Sequence, residues 1–154
     1  MVESAGLLLY RRRTDGDVEV FIAHMGGPFW KRRPRAWSIP KGELAAEEDP
    51  MDAARREFAE EIGVPAPDVA YAGLGVFRQA SGKRVHVFAG ESDLVVDAVR
   101  SNTVRLELPR GSGRFVEVPE VDEARWVTVE DARELLVAGQ VAAVDALTAR
   151  LRGV

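Results

Sequence analysis

The chain has 154 residues, of which 46% are hydrophobic and 30% charged, and its formal net charge is −4. This length and composition predict a single globular domain, residues 1–154, that can bury a core without disulfides or structural metals. The mild negative charge argues against a general attraction to nucleic acid or anionic membranes, and the absence of cysteine excludes disulfides, thiolate zinc sites and cysteine nucleophiles.

Two nonpolar segments near the start of the chain predict neighbouring strands. Residues 6–10 form a continuous nonpolar run, which is typical of a strand buried on both faces. Residues 18–24 follow after a polar turn at residues 14–17. The longest nonpolar run here, residues 5–10, is too short for a membrane span or the core of a signal peptide. We therefore expect a cytoplasmic protein without a membrane partner.

A loop, a short strand and a helix are predicted next. Residues 25–35 are rich in glycine, proline and basic side chains, which predicts a loop, and residues 37–39 are a short strand candidate. A helix is expected to begin at Pro50, because Asp49 is a suitable N-cap and proline fits the first helical position. Gly63 is a suitable residue for the position after the helix, so the helix should end there.

The second half of the chain contains further strands and two helices. Val85, Val87 and Ala89 alternate with larger or polar neighbours, which predicts a strand with two unlike faces. Gly111 and Gly113 mark a hairpin turn. The order of elements predicts an α/β fold with a mixed sheet and helices packed on its faces. The predicted strands are residues 69–77, 84–91, 103–108 and 115–118, and the predicted helices are residues 130–138 and 141–151.

Three glutamates of the predicted helix that begins at Pro50 lie on one side of it. At about 100° per residue, Glu61 lies at about +40° and Glu60 at about −60° from Glu57. Like charges this close raise one another's pKa values unless a cation is present. Mg²⁺ would remove that cost, because it prefers oxygen ligands and completes its shell with water and phosphate. A solvated acidic surface without metal is the alternative. A nonpolar stripe predicted to be buried lies beside the glutamates, formed by Met51, Ala54, Phe58 and Ile62.

The residues around these glutamates follow a fixed spacing. Five residues separate Gly42 from Glu48, and seven more separate Glu48 from the segment Arg-Glu-Phe-Ala-Glu-Glu-Ile-Gly-Val at residues 56–64. Seven fixed and two nonpolar positions at this spacing arise by chance on the order of once in a million. The segment resembles the Nudix box, whose fixed positions it matches throughout, and residues 37–43 resemble the usual lead-in. Residues 5–11 resemble, more weakly, the start of the family's diadenosine polyphosphate hydrolases.

The resemblance implies both a fold and a metal site. The implied fold is a Nudix-type α/β/α sandwich with a mixed β-sheet and a loop–helix–loop motif. The implied metal ion is Mg²⁺, with Mn²⁺ as an alternative, bound by the backbone carbonyl oxygen of Gly42 and by the carboxylates of Glu57, Glu60 and Glu61. Glu48 and Arg56 resemble the family's orienting pair, in which the guanidinium holds the carboxylate with two hydrogen bonds.

Members of the family often take another carboxylate from a loop before the last helix. Glu120 is the candidate here, Asp122 and Glu123 are alternatives, and an ordinary acidic surface loop is the remaining interpretation. The implied reaction is attack of water on the phosphorus of a phosphoanhydride, with Glu57 or Glu120 as the base and Mg²⁺ neutralising charge. The predicted catalytic residues are therefore Glu57, Glu60, Glu61 and Glu120.

Basic side chains outside the helix are candidates for binding the phosphates of a substrate. Three of them lie in the loop just before the box, where a solvated flexible loop is the alternative interpretation. The others lie in or beside predicted strands. The predicted substrate-binding residues are Lys31, Arg32, Arg33, Lys41, Arg78 and Lys83.

Aromatic residues near the basic loop are candidates for stacking on a nucleobase. Phe29, Trp30 and Trp37 have flat rings suited to this contact, although at least one of them is expected in the core. His24 and His86 lie in predicted strands, where we expect packed or edge histidines rather than catalytic bases.

The sequence thus predicts a Mg²⁺-dependent pyrophosphohydrolase of small nucleotide substrates. Dinucleoside polyphosphates and nucleoside triphosphates are the expected substrates. Diphosphoinositol polyphosphates and RNA 5′-pyrophosphates are alternative substrates, and a nucleotide-binding module without catalysis is an alternative function. Nucleic acid is otherwise not expected as a partner. The protein is expected to be a monomer or a homodimer.

Overall fold

The computed structural model describes residues 2–153. These residues form a seven-stranded mixed sheet, a separate two-stranded sheet and three α-helices. In chain order the elements are β1 Glu3–Arg12, β2 Val18–Met25, β3 Trp37–Ser38, β4 Lys41–Glu43, α1 Pro50–Ile62, β5 Tyr71–Arg78, β6 Arg84–Glu91, β7 Thr103–Glu107, β8 Phe115–Pro119, β9 Val121–Thr128, α2 Val129–Leu135, a 3₁₀ turn Ala138–Gln140 and α3 Val141–Leu151.

Strand β1 lies at the centre of the large sheet. One side of β1 pairs with β6 in parallel, and the other side pairs antiparallel with two different strands. Near its end, Tyr10 pairs with Val20 of β2, whereas near its start Ala5 pairs with Gly42 of β4. Strands β1 and β2 therefore separate towards the start of β1. There β4 pairs with β1 and β3 pairs with β2. This arrangement places β4 in the sheet directly beside α1.

The large sheet separates two nonpolar clusters. Leu8 belongs to the cluster that packs under α2 and α3, whereas Leu7 and Leu9 belong to the cluster that packs under α1. Successive side chains of a strand point to opposite faces, so the nonpolar run in β1 is buried on both sides, as its sequence predicts. The predicted α/β sandwich with a mixed sheet is confirmed.

Helix α1 begins and ends where the sequence predicts. The Asp49 carboxylate accepts hydrogen bonds from the backbone N–H groups of Met51 at 3.0 Å and Asp52 at 3.3 Å. Gly63 follows the helix with φ of 91°, a left-handed conformation that costs glycine little. Phe58 is fully buried, with its ring centroid 6.2 Å from that of Phe21. The predicted nonpolar stripe therefore anchors α1 to the sheet.

Strand β9 is an element that the sequence pattern did not predict. It pairs antiparallel with β2 over most of its length, whereas the acidic residues 120–123 predict a loop. Asp122, Glu123 and Arg125 are exposed, and β9 pairs only with β2, which makes it an edge strand. Edge strands often carry charged side chains that discourage pairing with other chains. The charges that suggest a loop are thus compatible with a strand in this position.

Helix α2 ends at Leu135, three residues earlier than predicted. Leu136 adopts an extended conformation with ψ of 150°, and the backbone N–H of Val137 donates to the carbonyl oxygen of Trp37 at 2.9 Å. This long-range hydrogen bond to the strand segment competes with continuation of the helix. Among the helices of residues 2–153, none combines the length and the nonpolar character needed to cross a bilayer.

Replacing Phe58 by alanine should lower the free energy of unfolding by about 3–5 kcal/mol, because it leaves a cavity between α1 and the sheet. Urea denaturation followed by circular dichroism measures this change. Phe29→Ala removes the same ring from a position that is 57% exposed, and it should cost less than about 1 kcal/mol. Equal losses in the two variants would contradict the packing described for α1.

Candidate active site

The three glutamates of α1 differ in burial from one to the next. Glu61 is mostly buried, and its carboxylate accepts a hydrogen bond from the backbone N–H of Lys41 at 3.1 Å. The Glu57 side chain is 12% exposed, and the Glu60 side chain is 38% exposed. The predicted arc of carboxylates is therefore present, and it runs from the contact between α1 and β4 out to the solvent.

Gly42 lies directly against the Glu57 carboxylate. A Cβ atom at position 42 would overlap the carboxylate atoms of Glu57. A residue with a side chain would therefore push Glu57 away from β4. The glycine at the start of the box is explained here by the close approach of a helix side chain to a strand backbone.

The Arg56 guanidinium connects the loop before α1 to the carboxylates on the helix. It donates to both carboxylate oxygens of Glu48 at 2.9 Å and to the carbonyl oxygen of Glu43 at 3.0 Å. Its remaining terminal nitrogen donates to Glu57 at 2.9 Å and to Glu60 at 3.1 and 3.2 Å. These contacts raise the pKa of Arg56, with the hydrogen bonds to Glu48 contributing most. The structure brings the predicted orienting pair together.

Glu48 fixes the loop that precedes the helix. Its carboxylate also accepts a hydrogen bond from the backbone N–H of Ala45 at 2.9 Å. The hydrogen bonds from Arg56, followed by the one from Ala45, lower the pKa of Glu48 to about 2. Glu48 is therefore ionised at neutral pH and available to Arg56 as a fixed negative charge.

Burial and mutual repulsion act on the carboxylates in the opposite direction. Burial, with smaller contributions from Glu57 and Glu120, raises the pKa of Glu61 to about 8, against the opposing effect of Lys41. Burial also raises the pKa of Glu57 and of Glu120, and each of these two is further raised by the charge of Glu60. These groups therefore share one electrostatic environment that favours an added cation.

Glu120 is the predicted outside carboxylate that the structure brings to this environment. A chain of backbone hydrogen bonds, each 2.9 Å long, runs from Asn102 N–H to Glu60 O, from Glu120 N–H to Asn102 O and from Gly26 N–H to Glu120 O. No sequence pattern points to Asn102, whose backbone links Glu120 to the end of α1. This role depends only on main-chain atoms, which any residue except proline has.

The two alternatives to Glu120 are engaged elsewhere. Asp122 contacts the ring nitrogen Nδ1 of His24 at 2.7 Å, and Glu123 accepts hydrogen bonds from Arg125 at 2.6 and 2.9 Å. Both residues belong to β9 rather than to a loop. Their carboxylates therefore have partners away from α1, which favours Glu120 as the outside carboxylate.

The predicted substrate-binding cations lie in three places. Lys31, Arg32 and Arg33 are exposed in the loop before β3, and Arg78 is exposed at the end of β5. Burial and the neighbouring charge of Lys83 lower the pKa of Lys41, whereas Glu61, Glu57 and Glu43 raise it. Lys41 thus lies near the carboxylates, and Lys83 lies near Lys41.

The aromatic and histidine side chains divide between core and surface. Trp37 is 7% exposed and belongs to the core, as expected for at least one of the three aromatic residues. Phe29 is 57% exposed, with its ring centroid 5.0 Å from that of Trp30. His24 packs edge-on against Trp37, and His86 contacts Glu3 at 2.8 Å. Both histidines are paired in strands, as predicted.

The arrangement fits a hard divalent cation in its donor chemistry. The side chains on α1 offer oxygen atoms only, their mutual repulsion favours a positive charge, and Glu57 lies against a strand backbone. Within residues 2–153, no three carboxylate or histidine side chains converge closely enough to enclose an ion. Mg²⁺ usually keeps several waters and binds through one or two carboxylates and substrate phosphate, so the oxygen chemistry of these side chains suits it.

The chain is similar in sequence to proteins of one domain family. A sequence model of the NUDIX domain matches residues 2–147. Over 56 residues the chain is 39% identical to an RNA pyrophosphohydrolase of Alkalilimnicola ehrlichii, a segment that makes up 34% of this chain. The match spans 31% of that relative, so it covers about a third of its length.

Solved structures share the fold. An Ap4A hydrolase of C. elegans, in a binary complex, has 22% identity and a TM-score of 0.68, with 100% of both chains covered. The NUDIX domain of Shewanella oneidensis NrtR, complexed with ADP ribose, has 14% identity and a TM-score of 0.64, with 98% of this chain and 88% of that chain covered. At these identities the likeness shows the fold.

Replacing Glu61 by glutamine should stabilise the metal-free protein at alkaline pH. In the folded chain Glu61 has a pKa of about 8, against a usual value of 4.5. The folded chain therefore holds this proton more tightly than the unfolded chain, and stability is lost as the pH rises from 4.5 to 8. In EDTA at pH 8, the free energy of unfolding of E61Q should be roughly 1–3 kcal/mol higher than that of wild type. Urea denaturation across this pH range measures the difference.

The advantage of E61Q should shrink as the pH approaches 4.5, where the carboxyl is largely neutral in the folded chain and only partly ionised in the unfolded chain. Added Mg²⁺ should stabilise wild type more than the variant. Two stability curves that run parallel from pH 4.5 to 8 would show that burial of Glu61 has no energetic consequence.

Proposed function

The chain belongs to the NUDIX family, and on this basis we propose that it is a divalent-metal-dependent pyrophosphohydrolase of nucleotides. Pyrophosphohydrolases are the enzymes of this family. The observation that carries the proposal is the shared environment of Glu57, Glu61 and Glu120, in which burial raises all three pKa values. Such clusters are costly for a fold and are typical of functional sites.

Glu57, Glu60 and Glu61 are the residues proposed to hold the cation, together with the carbonyl oxygen of Gly42. Mg²⁺ is the proposed ion, with Mn²⁺ as an alternative of similar preference for oxygen ligands. When bound, the ion would neutralise the negative charge of the phosphates and lower the pKa of the attacking water. Arg56 and Glu48 would keep the loop before α1 in position during this change of charge.

A carboxylate with a raised pKa is suited to remove a proton from water. Glu120 and Glu57 are the two candidates, because the pKa of each lies above its usual value. A base becomes more effective as its pKa approaches the working pH. We propose Glu120 as the base, since Glu57 contacts Arg56 at 2.9 Å and lies against Gly42.

Basic side chains are proposed to bind the phosphates that do not react. Lys41 lies beside the carboxylates and Lys83 lies near Lys41. Lys31, Arg32 and Arg33 form an exposed loop that precedes Lys41 in the sequence. Guanidinium and ammonium groups attract the remaining phosphate charges. Phe29 and Trp30 offer exposed aromatic surface in this same loop, which suits a nucleobase.

Dinucleoside polyphosphates and nucleoside triphosphates are therefore the proposed substrates. The similar C. elegans fold is that of an Ap4A hydrolase, which supports the first of these. RNA with a 5′-pyrophosphate is a second candidate, favoured by the segment that is 39% identical to an RNA pyrophosphohydrolase. The nearby basic loop suits either substrate.

A substrate panel should show hydrolysis that requires a divalent cation. The panel comprises diadenosine tetraphosphate, ATP, a diphosphoinositol polyphosphate and a 5′-triphosphorylated RNA oligonucleotide, each with Mg²⁺, with Mn²⁺ or with EDTA. We expect the fastest release of mononucleotide, phosphate or pyrophosphate from one of the first two. Faster release from the RNA would assign the second candidate. Binding without any release across the panel would contradict the proposed activity.

Glu60→Gln and Glu61→Gln serve as the matched variants for this panel. Each keeps the shape of the side chain and replaces a carboxylate oxygen, which could bind the cation, by an amide nitrogen, so kcat should fall by about 10²-fold or more at limiting Mg²⁺. Circular dichroism should show that both variants remain folded. Turnover close to that of wild type in both would exclude these residues as ligands of the cation.

Glu120→Gln tests the base and has a control two residues away. Its kcat should fall by about 10²-fold, in the range expected for loss of a general base. Asp122→Asn, whose carboxylate contacts His24, should retain kcat within about threefold. The pH–rate profile distinguishes a base from a structural residue, because only loss of the base should remove the acidic limb. A larger loss in D122N than in E120Q would reverse the assignment.

A further inference from the structure

Two surface depressions flank the C-terminal end of α3. The first, of about 370 Å³, lies between the β1–β2 turn, the start of α2 and α3. The second, of about 470 Å³, lies between α3 and β5. Both are lined by Arg12 and Leu151. Their volumes fall in the range of small-molecule sites, and the shared residues make them two parts of one surface.

The helical spacing of α3 explains how one helix lines both depressions. Thr148, Leu151 and Arg152 are three and four residues apart, so they lie on one side and line the first. Ala146 and Arg150 are four residues apart and line the second. Leu151 therefore forms the ridge between the two, with Arg12 opposite it on the end of β1.

Arginines are concentrated on this surface, although the net charge of the whole chain is −4. Arg12, Arg133 and Arg152 line the first depression, where Asp17 and Glu130 are the carboxylates. The second is lined by Arg12 and Arg150 and by no carboxylate of residues 2–153. Four arginines thus line the combined surface with two carboxylates, and Glu91 and Asp145 lie beside Arg12 and Arg133. The guanidinium donors that these contacts leave free can bind an anion.

Arginine donors remain available on this surface. The Nε atom of Arg12 is 3.7 Å from the nearest Glu91 oxygen, which is longer than a hydrogen bond. Arg133 donates to Asp145 from Nε at 2.9 Å, and this contact leaves its two terminal nitrogens available to a ligand. Guanidinium groups match the geometry of phosphate oxygens with paired donors. Leu151, Leu74 and Val129 add nonpolar surface beside these donors.

This surface is distant from the carboxylates of α1. Arg12 is the last residue of β1 and Gly6 lies six residues before it, and six residues of extended strand span about 20 Å. Gly6 pairs with Lys41 of β4, which places the carboxylate site near that end. In addition, α3 packs on one face of the sheet and α1 on the other. One small nucleotide cannot occupy both places.

We propose that the surface shared by Arg12 and Leu151 is a second binding site, separate from the hydrolytic site. Its ligand is a small molecule that carries two or more phosphates on a less polar group, as a nucleoside diphosphate does. The phosphates lie on Arg12 with Arg133 or Arg150, and the attached group lies against Leu151. This inference depends on the arginines and the depressions and is independent of the proposed hydrolysis.

ADP binding to the full chain in EDTA tests the proposal, because without a cation the carboxylates of α1 repel anions. A ¹⁵N NMR titration should show saturable shifts at residues 12–18 and 148–152. Arg12→Gln should weaken binding at least about fivefold, since it removes a charge-assisted contact from both depressions. Arg150→Gln should weaken it as well, and this exposed position keeps the test valid if R12Q unfolds.

Arg110→Gln is the matched control, because it removes one exposed arginine from the tip of the β7–β8 hairpin. It should leave the affinity within about twofold of wild type. Pyrophosphate should bind more weakly than ADP, and adenosine should not bind, if both parts of the ligand are recognised. Shifts confined to residues 31–33, equal weakening by R110Q, or the absence of saturation would each overturn the proposal.

Discussion

A single guanidinium determines how three carboxylates and a loop can share one end of the molecule. Arg56 donates to Glu48 and to the carbonyl oxygen of Glu43 on the loop, and to Glu57 and Glu60 on the helix. Arginine stays charged throughout the pH range of folded proteins. Its charge therefore permanently offsets part of the repulsion among the acidic side chains. An added cation would offset the repulsion that remains among the buried side chains Glu57 and Glu61.

The topology of the sheet supplies the other half of the site. Because β1 and β2 separate, β4 lies next to β1 and its Gly42 backbone meets the side chain of Glu57. A helix alone would present the same carboxylates to solvent, where water would screen them. Burial raises the pKa values of Glu57 and Glu61 instead. The chemistry proposed for the helix therefore depends on an irregularity in the pairing of strands.

Local signals account for what the sequence predicts well, and long-range contacts account for the rest. The limits of α1 follow from Asp49 and Gly63, and its acidic side follows from helical spacing, so both are readable from a short segment. Strand β9, which contains Asp122, cannot be predicted from a short segment, because it is specified by pairing with β2, about 100 residues away in the chain. Nor can spacing show that Lys41 is buried or that Asn102 holds Glu120. Those facts arise only when distant segments meet.

The β7–β8 hairpin forms a sheet of its own, joined to the site at its base through the backbone of Asn102 and Glu120. Its strands can therefore lengthen or shorten during evolution without altering the register of the larger sheet. The tip, between Gly111 and Gly113, lies at the far end from these anchors. Insertions there would change the surroundings of the site and leave Glu120 in place. The hairpin is thus a position at which the chain can change in length without displacing Glu120.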